Sequence, residues 1–142
     1  MGTTTFSGPV KAGTIREGSS ANVGFVEMAQ TAAWTQSGTA ASTGIIIPAG
    51  SQITEITLYI TTAPSAVNLS GGTSATATEL FSGLSQGSAA NVIKQASTAT
   101  TTVTSAWADV GTSDVTIFLK SASGTTGRGY VTVKYIQNNN LA

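Results

Sequence analysis

Apolar and polar positions are patterned most sharply between Ile45 and Thr62, in the stretch IIIPAGSQITEITLYITT. The run Ile45-Ile46-Ile47 stops at Pro48, which has no amide proton to give to a sheet ladder. Ala49-Gly50-Ser51 supplies a turn, with Gly50 free to take a positive φ. Beyond it Ile56, Leu58 and Ile60 point one way, and Glu55, Thr57, Tyr59 and Thr61 the other. Period two with β-branched residues predicts a strand with one face buried and one wet. The whole segment is therefore expected to form a hairpin.

Weaker versions of the same pattern recur along the chain. Asn22 to Ala33 is the first credible strand, with Val26 and Met28 on one face and Phe25, Glu27 and Ala29 on the other. Trp34 follows it, then a loop of small residues from Gln36 to Thr43. Ala66 to Ser70 reads as a short strand closed by Gly71-Gly72, and Ala77 to Ser82 as a short strand or one helical turn. Asn91 to Ser105 is Thr-rich and disfavours helix. Its first part alternates weakly, and its remainder resembles an exposed edge. Trp107 to Val110 precedes a turn at Gly111-Thr112-Ser113. Two clear strands close the chain. Asp114 to Lys120 sets Val115, Ile117 and Leu119 against Thr116, Phe118 and Lys120, and Tyr130 to Gln137 sets Val131, Val133 and Tyr135 against Thr132 and Lys134. The link SASGTTGRG suits a loop between antiparallel neighbours. About eight short strands without a convincing helix predict an all-β fold, a jelly-roll-like β-sandwich.

Residues 1–22 break this pattern. Gly2, Gly8, Gly13 and Gly18 recur with Ser, Thr and Pro9, and Phe6, Val10 and Ile15 are isolated apolar residues at no helical spacing. Such a stretch cannot bury enough surface to order itself. The expected organisation is an extended N-terminal arm over 1–22 and a β-sandwich domain over 23–142.

Composition sharpens the picture. Hydrophobic residues make up 40% of the 142 positions but charged residues only 8%, against about 25% in ordinary globular chains. Thr, Ser, Ala and Gly fill the gap, and Thr suits the wet face of a strand. The net charge is zero, which argues against a nucleic-acid binder relying on phosphate neutralisation. It also removes the repulsion that keeps free monomers apart, so a life in an assembly is suggested. There is no cysteine, hence no disulfide and no thiolate ligand. The N-terminus lacks a signal-peptide core, and no apolar run reaches membrane-spanning length. No Sec signal and no membrane association are expected.

Chemistry is sparse. The chain has no histidine, which removes the commonest general base and metal ligand together and makes Ser-His-Asp systems impossible. No phosphate-cradling Gly-rich motif occurs. The six carboxylates are Glu17, Glu27, Glu55, Glu79, Asp109 and Asp114. Asp109 and Asp114 flank one turn, where they serve either as a glycosidase-like pair or as caps for local amides. A calcium site on them lacks a ligand loop. Trp34, Trp107, Tyr59, Tyr130 and Tyr135 offer either a sugar-stacking platform or packing in a core or subunit interface. Arg128, between two glycines, is either a recognition residue at a loop tip or a solvated charge. Asn68-Leu69-Ser70 matches the glycosylation pattern by accident in a chain without a signal. The threonines from Thr98 to Thr104 lack the repeat period of an ice-binding array. No catalytic, cofactor or metal site is expected, and the chain is not read as an enzyme.

The stretches IIIPAGSQITEITLYITTA and VNLSGGTSATATELFSG resemble small structural proteins of tailed phages. The opening TTTFSGPVKAGTI and the closing GRGYVTVKYIQ resemble head proteins of marine and cyanobacterial phages. The resemblance implies a capsid decoration, or cement, protein: a β-sandwich, typically a homotrimer, seated on the outer capsid surface of the virion across capsomer junctions. Its implied partner is the major capsid protein, reached by the N-terminal arm. Phe6, Pro9, Val10 and Ile15 are the arm positions that carry over as candidate anchors. An alternative is a head-fibre, knob or tail-associated module that binds host glycan through loops around Arg128 or Gly83 to Asn91.

Overall fold

A computed structural model describes residues 26–65, 68–85, 92–95 and 107–137. The arm over 1–22 with its candidate anchors, the domain boundary at 22/23, the loop residues 86–91 and the Thr98 to Thr104 cluster lie outside the described residues. Within them the chain forms β1 (Glu27–Thr35), β2 (Ala41–Ile47), β3 (Gln52–Thr62), β4 (Asn68–Gly72), β5 (Phe81–Ser85), β6 (Val92–Gln95), β7 (Val115–Ser121) and β8 (Arg128–Ile136). These build two four-stranded sheets, in the orders β1-β8-β3-β6 and β2-β7-β4-β5. All pairings among the described residues are antiparallel. Successive strands alternate between the sheets except β4 and β5, which is the strand order of a jelly roll.

The core lies between the sheets. Trp34 of β1, Ile56, Leu58 and Ile60 of β3, and Val131, Val133 and Tyr135 of β8 face Ile45 and Ile47 of β2, Leu69 of β4, and Ile117 and Leu119 of β7. Each fully buried aliphatic side chain contributes about 1.5–3 kcal/mol by leaving water. Ile53 is also buried, though three residues from Ile56. A register shift between Ile53 and Glu55 in the β3–β8 pairing supplies the extra residue that turns both inward.

The structure corrects several sequence expectations. The turn at Pro48 to Ser51 is present, with Gly50 at φ 67°, but it is not a hairpin. β2 and β3 lie in opposite sheets, because both of their apolar faces are satisfied across the core rather than side by side. The loop 122–127 likewise joins β7 and β8 in different sheets, not antiparallel neighbours. Trp34 lies inside β1 and points into the core, while Val26 is 58% exposed. β2 begins at Ala41, within the expected loop. Gly71 and Gly72 belong to β4 rather than closing it. A Cβ on Gly71 would collide with the Phe81 ring, so this glycine admits close packing and does not make a turn.

Candidate functional site

Asp109 and Asp114 act on backbone amides. Gly111 N donates to Asp109 Oδ1 at 2.8 Å, closing the local turn. Ala49 N donates to Asp114 Oδ1 at 2.9 Å, across 65 positions of sequence. Two backbone bonds, Gly50 N to Gly111 O at 2.8 Å and Val110 N to Ser51 O at 3.0 Å, complete the tie between the Pro-Ala-Gly corner and the 109–114 loop. Asp109 is thus the local turn cap that the capping alternative describes, while Asp114 accepts from a remote amide instead of a local one.

At the other end of the sandwich, Gln36 is 2% exposed and joins three loops. Its Nε2 donates to Ser123 O at 2.8 Å. Its Oε1 accepts from Gly127 N at 2.9 Å, Ser65 N at 3.1 Å and Ser65 Oγ at 3.4 Å. The β1–β2, β3–β4 and β7–β8 connections thus share one amide. Arg128 stands beside this hub as the first residue of β8, not at a loop tip. Its Nη1 donates to Thr125 O at 2.6 Å and Gly127 O at 2.9 Å. Its guanidinium thus holds carbonyls of its own connection.

The β4–β5 connection is organised by Glu79. Its carboxylate accepts from Ser74 Oγ, from Thr76 Oγ1 at 2.8 Å, from Thr73 N at 3.2 Å and from Thr78 N at 3.1 Å. Burial alone would raise its pKa. The hydrogen bonds from Ser74, its own amide, Thr76 and Thr78 outweigh that and lower it from 4.5 to about 2. A folded pKa below the unfolded one stabilises the fold above about pH 4.5, and that contribution fades as pH falls towards 2. Glu79→Gln is expected to flatten the stability profile between pH 4.5 and 2. Thermal melts of both proteins across that window check it, and parallel profiles would contradict it.

The aromatic residues divide cleanly. Trp34, Trp107 and Tyr135 are buried, the last with its hydroxyl accepting from Gln30 Nε2 at 2.9 Å. Tyr59 and Tyr130 are 53% and 52% exposed, and they are register partners on β3 and β8. Ala33 continues their row on β1. The next row carries Thr31, Thr132 and Thr57, with the Thr31 and Thr132 hydroxyls 2.8 Å apart. Beyond lies the ion pair of Lys134 Nζ and Glu55 Oε1 at 3.3 Å. The outer face of this sheet thus presents two adjacent tyrosines above a hydroxyl row. Sequence alternation places Tyr59 on the wet face, but the partnership with Tyr130 depends on a strand pairing that no local pattern reveals.

Among the described residues no group of three or more carboxylates, histidines or cysteines could hold a metal ion. No helix there is long and apolar enough to cross a membrane.

The fold has counterparts in two phage capsid structures. One matching chain belongs to the acidic stable capsid structure of Helicobacter pylori bacteriophage KHP30, with a TM-score of 0.56 and 17% identity over 82% of this chain and 91% of that one. The other belongs to the capsid asymmetric unit of cyanophage Pam1, with a TM-score of 0.56 and 18% identity over 93% of this chain and 99% of that one. No protein-family model matches the sequence, and no curated protein does. At these identities the likeness is one of fold: the chain resembles a component of phage capsids.

Proposed function

We propose that this chain is a non-enzymatic structural protein of a phage virion, a decoration or cement protein on the outer capsid surface that stabilises capsomer junctions. The observation carrying this reading is the near end-to-end likeness to a chain of the Pam1 capsid asymmetric unit, 93% of one and 99% of the other. The site geometry supports it, since the described polar groups hold loops and corners together instead of converging on a substrate. A clamp needs only surface complementarity. Binding the assembled shell but not its separated parts shifts the equilibrium towards the shell by mass action.

In this reading the major capsid protein is the partner, the chain works as a homotrimer, and Phe6, Pro9, Val10 and Ile15 anchor the arm. Three linked arms turn later contacts into intramolecular ones, which raises avidity about 10²–10⁴-fold if the geometry allows simultaneous engagement. Removing residues 2–20 is expected to abolish attachment to shells lacking the protein while the sandwich still melts cooperatively. Co-sedimentation with such shells, beside a thermal melt, reads both. Equal occupancy with and without the arm would remove the anchoring role.

A second reading, host-glycan binding, is favoured by the Tyr59–Tyr130 pair, whose exposed rings suit stacking on a sugar. Glycan-array binding that is lost in Tyr59→Ala/Tyr130→Ala would select it over the structural role.

A further inference from the structure

We infer that the outer face of the β1-β8-β3-β6 sheet binds a neutral polysaccharide, with the rings of Tyr59 and Tyr130 as its stacking platform and the threonine row beside them as its hydrogen-bonding edge. This rests on the glycan reading of the tyrosine pair and names the class of sugar that the pair takes. The two rings are half-exposed and belong to residues directly opposite one another on β3 and β8. Side chains so paired have Cβ atoms about 4.5–5.5 Å apart, close enough for the rings to form one apolar surface. Ala33 stands next in that row on β1, and its methyl group leaves the platform open on that side. A tyrosine joins an apolar ring to a polar tip. A sugar ring has the matching build, with C–H groups on its faces and hydroxyls around its rim.

The neighbouring rows supply partners for those hydroxyls. Thr31, Thr132 and Thr57 lie two residues along from the tyrosine row, about 6.6 Å away, and share its face. The Thr31 and Thr132 hydroxyls are 2.8 Å apart. That bond uses one hydrogen, and each hydroxyl has one donor and two acceptor positions, so the pair retains capacity for a ligand. Two residues further stand Lys134 Nζ and Glu55 Oε1 at 3.3 Å, with Thr57 Oγ1 donating to the same Glu55 oxygen at 2.8 Å. From the tyrosines to this ion pair is about 13 Å, longer than one sugar ring, so the face suits a chain of sugars. Charge selects among such chains. A run of carboxylates would meet Glu55 and a run of ammonium groups Lys134, whereas neutral hydroxyls bond to either. Tyr59 and Tyr130 stand within strands, not in a loop cleft, so an internal stretch of polymer can lie across them. Within the shell reading, the inference requires this face to point away from the capsid, where many copies add avidity.

Affinity electrophoresis of the full-length protein through gels holding dextran, mannan, xylan, alginate or chitosan tests this. Retardation is expected with at least one of the first three, which are neutral, and with neither alginate, a polyuronate, nor chitosan, a polyamine. Tyr59→Ala and Tyr130→Ala should each raise the apparent Kd about two- to tenfold, and the double variant should run as in a sugar-free gel. Tyr59→Phe/Tyr130→Phe keeps both rings and should retain most of the retardation. Both side chains are half-exposed, so all variants are expected to melt with the parent. Thr132→Val, which removes one hydroxyl of the row, should weaken retardation too and keeps the test decisive if the double alanine variant fails to fold. Retardation by alginate or chitosan alone would overturn the neutral class and leave the glycan reading standing. Retardation by none of the polymers would overturn both. Retardation unchanged in the alanine and valine variants would put the site elsewhere and overturn the inference. So would sugar-free sedimentation in which the double variant loses a subunit contact, because a second copy would then cover the pair.

Discussion

Trp107→Ala is expected to lower stability by about 3–5 kcal/mol, the range for emptying a buried aromatic site. The indole is 1% exposed and belongs to the hydrophobic core cluster of the described residues. Its Nε1 donates to Leu80 O at 2.8 Å, in the connection that Glu79 also organises. Alanine would leave a cavity beneath that connection and strand a carbonyl at Leu80, itself fully buried. Domains of this kind are stable by about 5–15 kcal/mol in total, so the variant should melt far below the parent or fail to fold. Trp107→Phe keeps most of the volume but not the donor, and is expected to fall between the two. Urea denaturation of all three proteins checks the order. A loss below about 1 kcal/mol in the alanine variant would mean that the site is not packed as described.

Gln36→Leu should carry the second largest penalty despite conserving volume. The amide serves Ser123 O, Gly127 N and Ser65 N at once, and Gly127 is itself buried. An apolar replacement leaves each group without its partner, at about 1–3 kcal/mol for each that water cannot reach. The backbone bond from Gln36 N to Gly127 O, 2.8 Å, survives, so the loss should stay short of complete unfolding. The expected result is a destabilisation of about 2–5 kcal/mol, with new protease sensitivity in the 122–127 loop. A neutral substitution would show that water replaces the amide.

Much of this architecture was legible in the sequence because period two reports directly which side chains are buried. Ile56, Leu58 and Ile60, and Val131, Val133 and Tyr135, fall inward as their alternation requires. What period two cannot report is which sheet a strand joins. The Pro48 to Ser51 turn therefore looked like a hairpin, although Ile47 and Ile53 enter one core from opposite sheets. Glycines misled for a related reason. Gly71 reads as a terminator in isolation, yet it is small because the Phe81 ring occupies its Cβ position. The hubs at Gln36 and Glu79 left even less trace. A lone Gln in a Ser-Gly loop and a Glu after a run of Thr gain their roles only when distant segments, or the loop itself, close around them. The Tyr59–Tyr130 pair is invisible for the same reason, being 71 positions apart and joined only by register.

The structural reading depends on this chain being a stoichiometric part of a shell rather than a rare appendage. The direct measurement is its copy number in purified particles relative to the major capsid protein, from quantitative gels of the intact virion. A ratio near one copy per capsid subunit, hundreds in each particle, is the predicted result. A dozen copies or fewer would contradict it and place the chain at a vertex or on the tail.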